Sequence, residues 1–183
     1  IGSGAGGGGA LFAPSFSPHN QNDLYLACDM SEVFHSTNLG ASWELSDFRQ
    51  IQGGRESQVR FTSNPSIFYA LDYTGDLVTP SKSTDGGLTW HRFSNDPTFG
   101  GAYSLFADPN SASNLIVSDY SHLYLSTDGG STFGLRFTTA SGNGCFVAGA
   151  FFDAGSIYAG THLGMLFSNN ERAFAAVSVG GIS

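Results

Sequence analysis

This chain has little positive charge. Its 183 residues include seven Lys and Arg against fifteen Asp and Glu, which gives a net charge of −8. Proteins that bind nucleic acid or an anionic membrane surface concentrate basic residues to neutralise phosphate groups. The sequence also lacks the run of about eighteen apolar residues that a membrane-spanning helix requires. We therefore expect neither a nucleic-acid partner nor insertion into a membrane.

Cysteine and the motifs of metal and cofactor sites are also scarce. The only cysteines are Cys28 and Cys145, too few for a disulfide framework or a zinc cluster, and we expect both to be buried thiols. The five histidines show no H-x-x-H or H-E-x-x-H spacing, and no P-loop or dinucleotide fingerprint occurs. Neither a metal nor a cofactor is predicted.

Helical periodicity is missing as well. No apolar stripe at helix spacing exceeds two turns, whereas 25 glycines and 14% aromatic residues suit short strands joined by tight turns. Charged residues make up only 12% of the chain, so Ser, Thr, Asn and Gly must cover much of the surface. This composition is common in secreted carbohydrate-active proteins. The chain begins Ile1-Gly2-Ser3 without Met, and we expect any signal peptide to have been removed or left out and the location to be extracellular or periplasmic.

One phrase recurs four times along the chain. The second copy, residues 83–90, reads Ser-Thr-Asp-Gly-Gly-Leu-Thr-Trp. The first copy has Asn38 where the second has aspartate, the third ends in Phe133, and the fourth keeps little beyond its serine and an aromatic residue. The steps between copies are 47, 43 and 42 residues, a period that indicates a repeat architecture. The copies begin at Ser36, Ser83, Ser126 and Ser168.

Each copy has the composition of a hairpin turn. Its aspartate can accept hydrogen bonds from nearby backbone amides, and its glycines can adopt backbone angles closed to other residues. A strand-like stretch precedes each copy, and an aromatic residue starts the next strand. We therefore predict that Asp85 and Asp128 are structural residues and not catalysts.

Four strands fit into every period, as a propeller blade requires. The predicted class is all-β: a β-propeller of four four-stranded blades, with the repeated turn between the third and fourth strands of each. The blades span about 10–46, 58–94, 102–138 and 145–180. The predicted strands are Ala10–Phe16, Leu24–Cys28, Glu32–Ser36, Trp43–Leu45, Gln58–Thr62, Ile67–Leu71, Leu77–Ser83, Thr89–Phe93, Ala102–Ala107, Leu115–Ser118, Leu123–Ser126, Thr132–Phe137, Cys145–Phe152, Ser156–Gly160, Gly164–Ser168 and Phe174–Val179.

The number of blades has a consequence for assembly. An open arc of four blades would expose two apolar blade faces, which soluble monomers rarely tolerate. We expect the chain to belong to a larger ring, with further blades from its parent chain, or to be completed by a partner chain or a second copy. A ring of four blades that closes on itself is the alternative.

Candidate site residues follow the second strand of each blade. Alignment of the repeats puts Asp29, Asp72, Asp119 and Thr161 in one register, on the face where the loops between blades also emerge. Carboxylates beside aromatic rings are what a sugar site needs, and Tyr73 and Tyr120 would be its stacking platforms. The alternative is that these aspartates cap their own turns. The residues that follow the four aligned positions are Met30, Tyr73, Tyr120 and His162.

The recurring phrase resembles the Asp-box, S-x-D-x-G-x-x-W, of BNR-repeat β-propellers. The first blade resembles in addition the opening blade of the two-lobed xyloglucanases: a glycine run, then residues 10–18, then Leu24-Tyr25-Leu26-Ala27-Cys28-Asp29-Met30. That resemblance implies that Asp29 is one of two catalytic carboxylates of an inverting glycosidase and that the partner is a polysaccharide or glycan. Ser31 and Glu32 stand where that family has Gly-Gly, and the family's second carboxylate comes from a second lobe.

Three functional classes remain open on these observations. The first is a secreted glycoside hydrolase-like propeller, or a fragment of one, that acts on a β-glucan-type polysaccharide. The second is a non-catalytic propeller that binds glycan or protein, and the third is a structural module of a large extracellular protein. Three arginines near the first loop between blades could meet an acidic ligand, but we expect them to be solvated loop charges. These are Arg49, Arg55 and Arg60.

Overall fold

The computed structural model describes residues 9–169 and 172–177. In this part of the chain there are sixteen β-strands and no helix, and hence no helix that is long and apolar enough to cross a membrane. The strands are β1 (Leu11–Phe16), β2 (Leu24–Cys28), β3 (Val33–Ser36), β4 (Glu44–Leu45), β5 (Arg60–Phe61), β6 (Phe68–Thr74), β7 (Leu77–Ser83), β8 (His91–Arg92), β9 (Ser104–Ala107), β10 (Leu115–Ser118), β11 (His122–Ser126), β12 (Gly134–Thr138), β13 (Val147–Asp153), β14 (Ser156–Thr161), β15 (Gly164–Asn169) and β16 (Ala175–Val177).

The strands form four antiparallel sheets of four strands each, in the order of the chain. They are arranged as a four-bladed β-propeller, so the predicted fold class is confirmed. Each predicted strand has a counterpart, although several differ in length. β6 continues to Thr74, beyond its predicted end at Leu71, and β7 starts at Leu77 as predicted. The longer β6 reflects pairing of the β6–β7 hairpin up to its turn. The predicted end of the last strand, Val179, lies outside the described residues.

The repeated turns share one hydrogen-bond pattern. In the second turn, the Ser83 hydroxyl donates to Asp85 Oδ1 at 2.8 Å and accepts from the Gly87 amide at 2.8 Å. The Thr89 amide and hydroxyl donate to the two carboxylate oxygens of Asp85, at 2.9 and 2.6 Å. Gly87 has a φ of +90°, which favours glycine. Both oxygens of this aspartate are thus engaged inside the turn.

The third turn repeats these bonds around Asp128. The first turn makes the same backbone and serine bonds with Asn38, whose side-chain amide donates to the Ser42 hydroxyl instead of accepting from it. In the fourth turn, the Ser168 hydroxyl donates instead to the carbonyl of Arg172, at 2.6 Å. The expectation that Asp85 and Asp128 serve the turn agrees with this geometry. The turns fix how far β3, β7 and β11 run before the chain reverses, and so they fix the register of each hairpin.

Three apolar clusters join neighbouring sheets. Tyr25 and Val33 of the first sheet pack with Phe68 and Trp90 of the second. The second and third sheets meet around Tyr69 and Leu115, and the third and fourth meet around Ile116 and Phe152. No cluster of described residues contains members of both the first and the fourth sheet. Cys28 and Cys145 are buried free thiols, as predicted.

Candidate functional site

One face of the propeller carries the hairpin loops β2–β3, β6–β7 and β10–β11 together with the segments that connect successive sheets. These connecting segments are hydrogen-bonded to the hairpin before them. The Gly53 amide donates to the Ser31 carbonyl at 2.9 Å, and the Val78 amide donates to the Gly100 carbonyl at 2.8 Å. The Cys145 amide donates to the Tyr120 carbonyl at 2.6 Å. The rim of this face is therefore built of paired backbone.

A cavity of about 600 Å³ opens on this face. Three of the residues predicted for the site, Asp29, Tyr73 and Tyr120, line it. Tyr103 and the basic side chain of Arg55 also line the cavity, together with two further carboxylates, those of Glu56 and Asp76. Aromatic rings and carboxylates that converge on one opening are the usual elements of a carbohydrate-binding site.

The strand pairing explains why these three predicted residues meet. Counted from the turn serines, Leu24, Phe68, Leu115 and Ile157 are equivalent, since they pair with Ser36, Ser83, Ser126 and Ser168. Four residues further on, Cys28 is the equivalent of Asp72, Asp119 and Thr161. The aligned register expected from sequence is thus wrong by one residue in the first sheet. Asp29 is equivalent to Tyr73, Tyr120 and His162.

Asp29 has one carboxylate oxygen bound and one available. Its Oδ1 accepts from the Ala10 amide at 2.8 Å and lies 3.9 Å from Cys28 Sγ, whereas Oδ2 makes no hydrogen bond with any described residue. Gly9 packs so closely on Asp29, Met30 and Cys28 that a Cβ there would meet all three side chains. The carboxylate is exposed but held in one position, which is what a residue that acts on a ligand requires.

Asp72, in contrast, is fully buried. Its Oδ1 accepts from the Gln52 amide at 2.8 Å and from the Thr74 hydroxyl at 3.1 Å, and its Oδ2 forms an ion pair with Arg92. The structure does not bring Asp72 into the cavity. Its carboxylate instead ties the β6–β7 hairpin to β8 and to the connection from the first sheet.

Asp119 and Thr161 also serve their own turns. The Asp119 carboxylate accepts from the amides of Ser121 and His122, at 2.6 and 2.7 Å, and lies 3.0 Å from the His122 ring. The Thr161 hydroxyl donates to the Gly164 carbonyl at 2.7 Å and accepts from the Leu163 amide at 3.1 Å. Thr161 lines an adjoining cavity of about 450 Å³, which shares Glu56 and Tyr103 with the first.

Tyr73 and Tyr103 flank Glu56. The Tyr73 ring packs on Gly54, where a Cβ would come within 2.6 Å of it. Burial raises the pKa of the Tyr73 hydroxyl, and a hydrogen bond with the Glu56 backbone opposes that shift. Burial, followed by the charge of Glu56, raises the pKa of Tyr103. Both phenols therefore stay neutral donors and acceptors next to a carboxylate.

An aromatic cluster continues the wall of the cavity. The ring centroids of Tyr103 and Tyr120 are 4.7 Å apart, and Phe146 meets each of them edge-on, at 5.4 and 5.3 Å. His162 follows at 5.1 Å from Phe146. Tyr120 is 52% exposed, so its ring is accessible to a ligand. The cluster combines Tyr120 and His162, from the hairpins of the third and fourth sheets, with Tyr103 and Phe146 from the connecting segments.

Sequence reasoning missed several of these residues. Tyr103, Glu56 and Phe146 lie on connecting segments that have no repeated motif, so no periodic signal marks them. Arg60 was expected to be a solvated loop charge, and this is wrong. Its guanidinium lies 4.4 Å from the centre of the Phe106 ring and its Nε donates to the Leu105 carbonyl at 2.9 Å, and burial lowers its pKa to about 10.

The other two arginines remain at the surface. Arg49 is exposed and pairs with Asp47, as expected of a loop charge, whereas the exposed Arg55 lies over the Phe12 ring on the wall of the larger cavity. Among the residues the structure describes, no group of three or more His, Cys, Asp or Glu is arranged to hold a metal ion.

Similarity to known proteins is confined to the fold. No protein-family profile matches the sequence, and no curated protein sequence matches it. An ancestral GH74 enzyme is similar in structure with a TM-score of 0.75 at 20% identity, over 98% of this chain and 25% of that chain. The GH74 xyloglucanase from Xanthomonas campestris has a TM-score of 0.63 at 15% identity, over 91% and 25%.

A third similar structure is not described as an enzyme. YCF48 from Cyanidioschyzon merolae has a TM-score of 0.64 at 18% identity, over 94% of this chain and 58% of that chain. YCF48 has also been seen bound to a D1 peptide, and this structure is similar with a TM-score of 0.63 at 14% identity, over 91% and 53%. The chain thus spans about a quarter of the length of the two GH74 proteins and just over half that of YCF48, and it shares the propeller fold with both kinds of protein.

Proposed function

We propose that the cavity lined by Asp29, Tyr73, Tyr103 and Tyr120 binds an oligosaccharide of the β-glucan type. The observation that carries the proposal is the convergence of these rings and of three carboxylates, those of Asp29, Glu56 and Asp76, on one opening of about 600 Å³. The C–H faces of a sugar ring are apolar and pack on aromatic rings, while its hydroxyls donate to carboxylates.

The repeated turns support the wider assignment. Their Ser-Asp-Gly-Thr hydrogen bonds are those expected of an Asp-box, and the resemblance of residues 6–30 to xyloglucanases concerns the stretch that supplies Asp29. The fold is shared with GH74 enzymes. On this proposal the protein acts on extracellular or periplasmic polysaccharide, and Asp29 is the residue closest to chemistry.

Hydrolysis would require a second carboxylate. An inverting glycosidase needs one carboxyl group as general acid and another as general base, on opposite sides of the scissile bond. Glu56 and Asp76 line the same cavity as Asp29, and either could take the second role. Asp29 Oδ2 would exchange the proton, because Oδ1 is already bound to the Ala10 amide.

A test of the sugar site starts with Tyr120. We expect Tyr120→Ala to weaken binding of cello- and xyloglucan-oligosaccharides about tenfold or more, since stacking on an exposed aromatic ring is lost. Tyr120→Phe keeps the ring and should bind almost as well as the original protein. Isothermal titration calorimetry measures both, with Leu88→Ala, at a 77% exposed residue of the second turn, as the control. Absence of binding by the original protein would refute the sugar site.

Asp29→Asn tests the catalytic role separately. The amide oxygen can still accept from the Ala10 amide, so the fold and the ligand contacts should persist. General acid–base catalysis contributes on the order of a hundred- to ten-thousand-fold, and turnover of glucan oligosaccharides should fall by that factor while their Kd changes little. Equal turnover in both proteins, or none in either, would leave a binding function and remove the catalytic one.

Binding of a protein segment is the second candidate. Phe146, which is 36% exposed, lines the adjoining cavity of about 450 Å³, and Leu163, which is 51% exposed, follows His162 of the same cavity wall. The two side chains give this face an apolar strip that a peptide could cover. YCF48, with a peptide bound, shares the fold. Peptide-array binding that Tyr120→Ala removes, with no response to oligosaccharides, would favour this function over the first.

A further inference from the structure

Each sheet turns one row of side chains toward the sheet that follows it. On the second strand, the residue of this row comes directly after the residue that pairs with the turn serine. Members of the row on adjacent strands are paired with one another. In the first sheet the central residue of the row is Tyr25, and in the second it is Tyr69; both are almost completely buried. The equivalent residues of the third and fourth sheets are Ile116 and Tyr158.

In the first two sheets this tyrosine binds the next repeat through its hydroxyl. The Tyr25 hydroxyl donates to the carbonyl of Gly86, in the second turn, at 3.3 Å. The Tyr69 hydroxyl donates to the carbonyl of Ala112, beside the third turn, at 2.7 Å. Lys82, the strand partner of Tyr69, donates to the Gly129 carbonyl at 3.0 Å. The row therefore recognises backbone carbonyls at the turn of the next sheet.

In the fourth sheet the same row is an aromatic ladder. Phe151, Tyr158 and Phe167 are directly paired across β13, β14 and β15, with ring centroids 6.4 and 4.9 Å apart. Phe151 is 64% exposed and the nearby Met165 is 40% exposed. The Tyr158 hydroxyl makes no hydrogen bond with any described residue. Such an exposed apolar surface marks an interaction site.

The first turn offers the complementary acceptor at the other end of the chain. The Leu39 amide donates to the Asn22 carbonyl at 2.9 Å, just as the Gly86 amide donates to Ser66 and the Gly129 amide to Ser113. Leu39 also shares their left-handed backbone, with a φ of +56°. Its side chain is 63% exposed, and no described residue donates to its carbonyl. By the repeat, this carbonyl and that of Gln21 are acceptors for a preceding sheet.

We propose that the aromatic ladder of the fourth sheet binds the first turn of a second copy of this chain, with the Tyr158 hydroxyl as donor to the Leu39 or Gln21 carbonyl. The contact would continue the propeller from one copy into the next. The contact joins two different surfaces, so each copy in a pair keeps one surface unoccupied. Further copies can bind there, and the assembly closes into a ring if the rotation between copies permits. This inference does not depend on the proposed sugar site, which lies on a different face.

Sedimentation of the 183-residue protein in the high micromolar range tests the contact. We expect species of about twice the 19.2 kDa monomer mass or larger. Phe151→Asp should block the ladder, and Leu39→Asp should block the first turn. Each variant then keeps at most one of the two binding surfaces and can form neither a dimer nor a closed ring with itself. Tyr158→Phe removes only the hydroxyl and should raise the dissociation constant about fivefold. Leu88→Asp, at a residue of the second turn that is 77% exposed, should behave as the original protein.

Mixing the two blocked variants gives the decisive result. Each variant alone should sediment as a monomer, because one of the two surfaces is blocked in every molecule. Their equimolar mixture should recover a dimer, since the intact ladder of Leu39→Asp can bind the intact turn of Phe151→Asp. A monomeric original protein, as a closed four-bladed ring would give, overturns the proposal. So does association that either single variant retains, or a mixture that stays monomeric.

Discussion

Asp29 and Asp72 have nearly the same sequence surroundings and opposite environments. Both stand near the end of a buried second strand, in Ala-Cys-Asp and in Ala-Leu-Asp. Asp72 is fully buried and saturated with donors, including Arg92, whereas Asp29 is exposed with one oxygen free of described partners. The difference arises because Asp29 lies one residue further beyond Leu24, the strand partner of its turn serine, than Asp72 lies beyond the equivalent Phe68. In a repeat protein, equivalence is therefore better counted from the hydrogen-bonded turn than from similar letters.

Removal of each carboxylate in turn should give the largest difference in stability between the two positions. We expect Asp72→Ala to lower the free energy of unfolding by about 2 to 3 kcal/mol, because it leaves the Gln52 amide and the Thr74 hydroxyl without their acceptor. Arg92 is 42% exposed in its side chain and can regain water, which limits the loss. Asp29→Ala should change stability by less than about 1 kcal/mol. Urea unfolding measures both, and equal losses would contradict the comparison.

A substitution next to Asp29 should disturb ligand binding without the same loss of stability. A Cβ at Gly9 would meet the Asp29 carboxylate as well as Met30 and Cys28, so Gly9→Ala must displace at least one of these side chains. We expect oligosaccharide affinity to fall about tenfold, equivalent to about 1.4 kcal/mol. Gly142→Ala, where a Cβ would meet no atom within 4 Å, is the matched control. An unchanged affinity in Gly9→Ala would show that the position of Asp29 does not matter.

The smallest expected effect concerns a carboxylate on the opposite face. Hydrogen bonds from the Thr132 side chain and backbone, followed by one from Ser126, lower the pKa of Asp128 to about 2. Because the folded-state pKa lies below the unfolded value of about 3.9, its contribution to stability is complete above pH 4 and is lost as the pH falls toward 2. Asp128→Asn should therefore differ less from the original protein at pH 2.5 than at pH 5.

Urea midpoints at the two pH values provide the measurement. Asn38 makes the same turn bonds in the first repeat, so the variant should fold. Asp153→Asn is the control, at an exposed residue with no side-chain hydrogen bond to described residues. Its difference in urea midpoint from the original protein should be the same at both pH values. A constant gap for Asp128→Asn between the two pH values would contradict the role of its charge in the turn.

The fold was predictable because its information is local and repeated. A Ser-x-Asp-Gly turn specifies its own hydrogen bonds within eight residues, so its return every 42 to 47 residues locates each hairpin. The pairing of Ser36, Ser83, Ser126 and Ser168 with the second strands then follows. Strand lengths were less predictable, because the end of a hairpin such as β6–β7 depends on bonds to the connecting segments, which do not repeat.

The site was only partly predictable for the same reason. Asp29, Tyr73 and Tyr120 could be named because they lie at or just beyond the ends of recurring strands. The one-residue offset of Asp29 was hidden by the similarity of Ala27-Cys28-Asp29 to Ala70-Leu71-Asp72. Tyr103 and Glu56 reach the cavity through three-dimensional packing of single-copy segments. The environment of Asp72 depends on Gln52 of a connecting segment and on Arg92 of β8. That of Arg60 depends on Phe106 of the next sheet. No local pattern reveals either set of contacts.

The three clusters between sheets have a consequence for how the molecule comes apart. The second and third sheets each contact a neighbour on both sides, whereas among the described residues the first and fourth have a cluster on one side only. Stability in such a linear array is close to a sum of intrinsic and nearest-neighbour terms. The terminal sheets can open while the central pair stays folded, so amide hydrogens of β10 should exchange with solvent more slowly than those of β2 or β14.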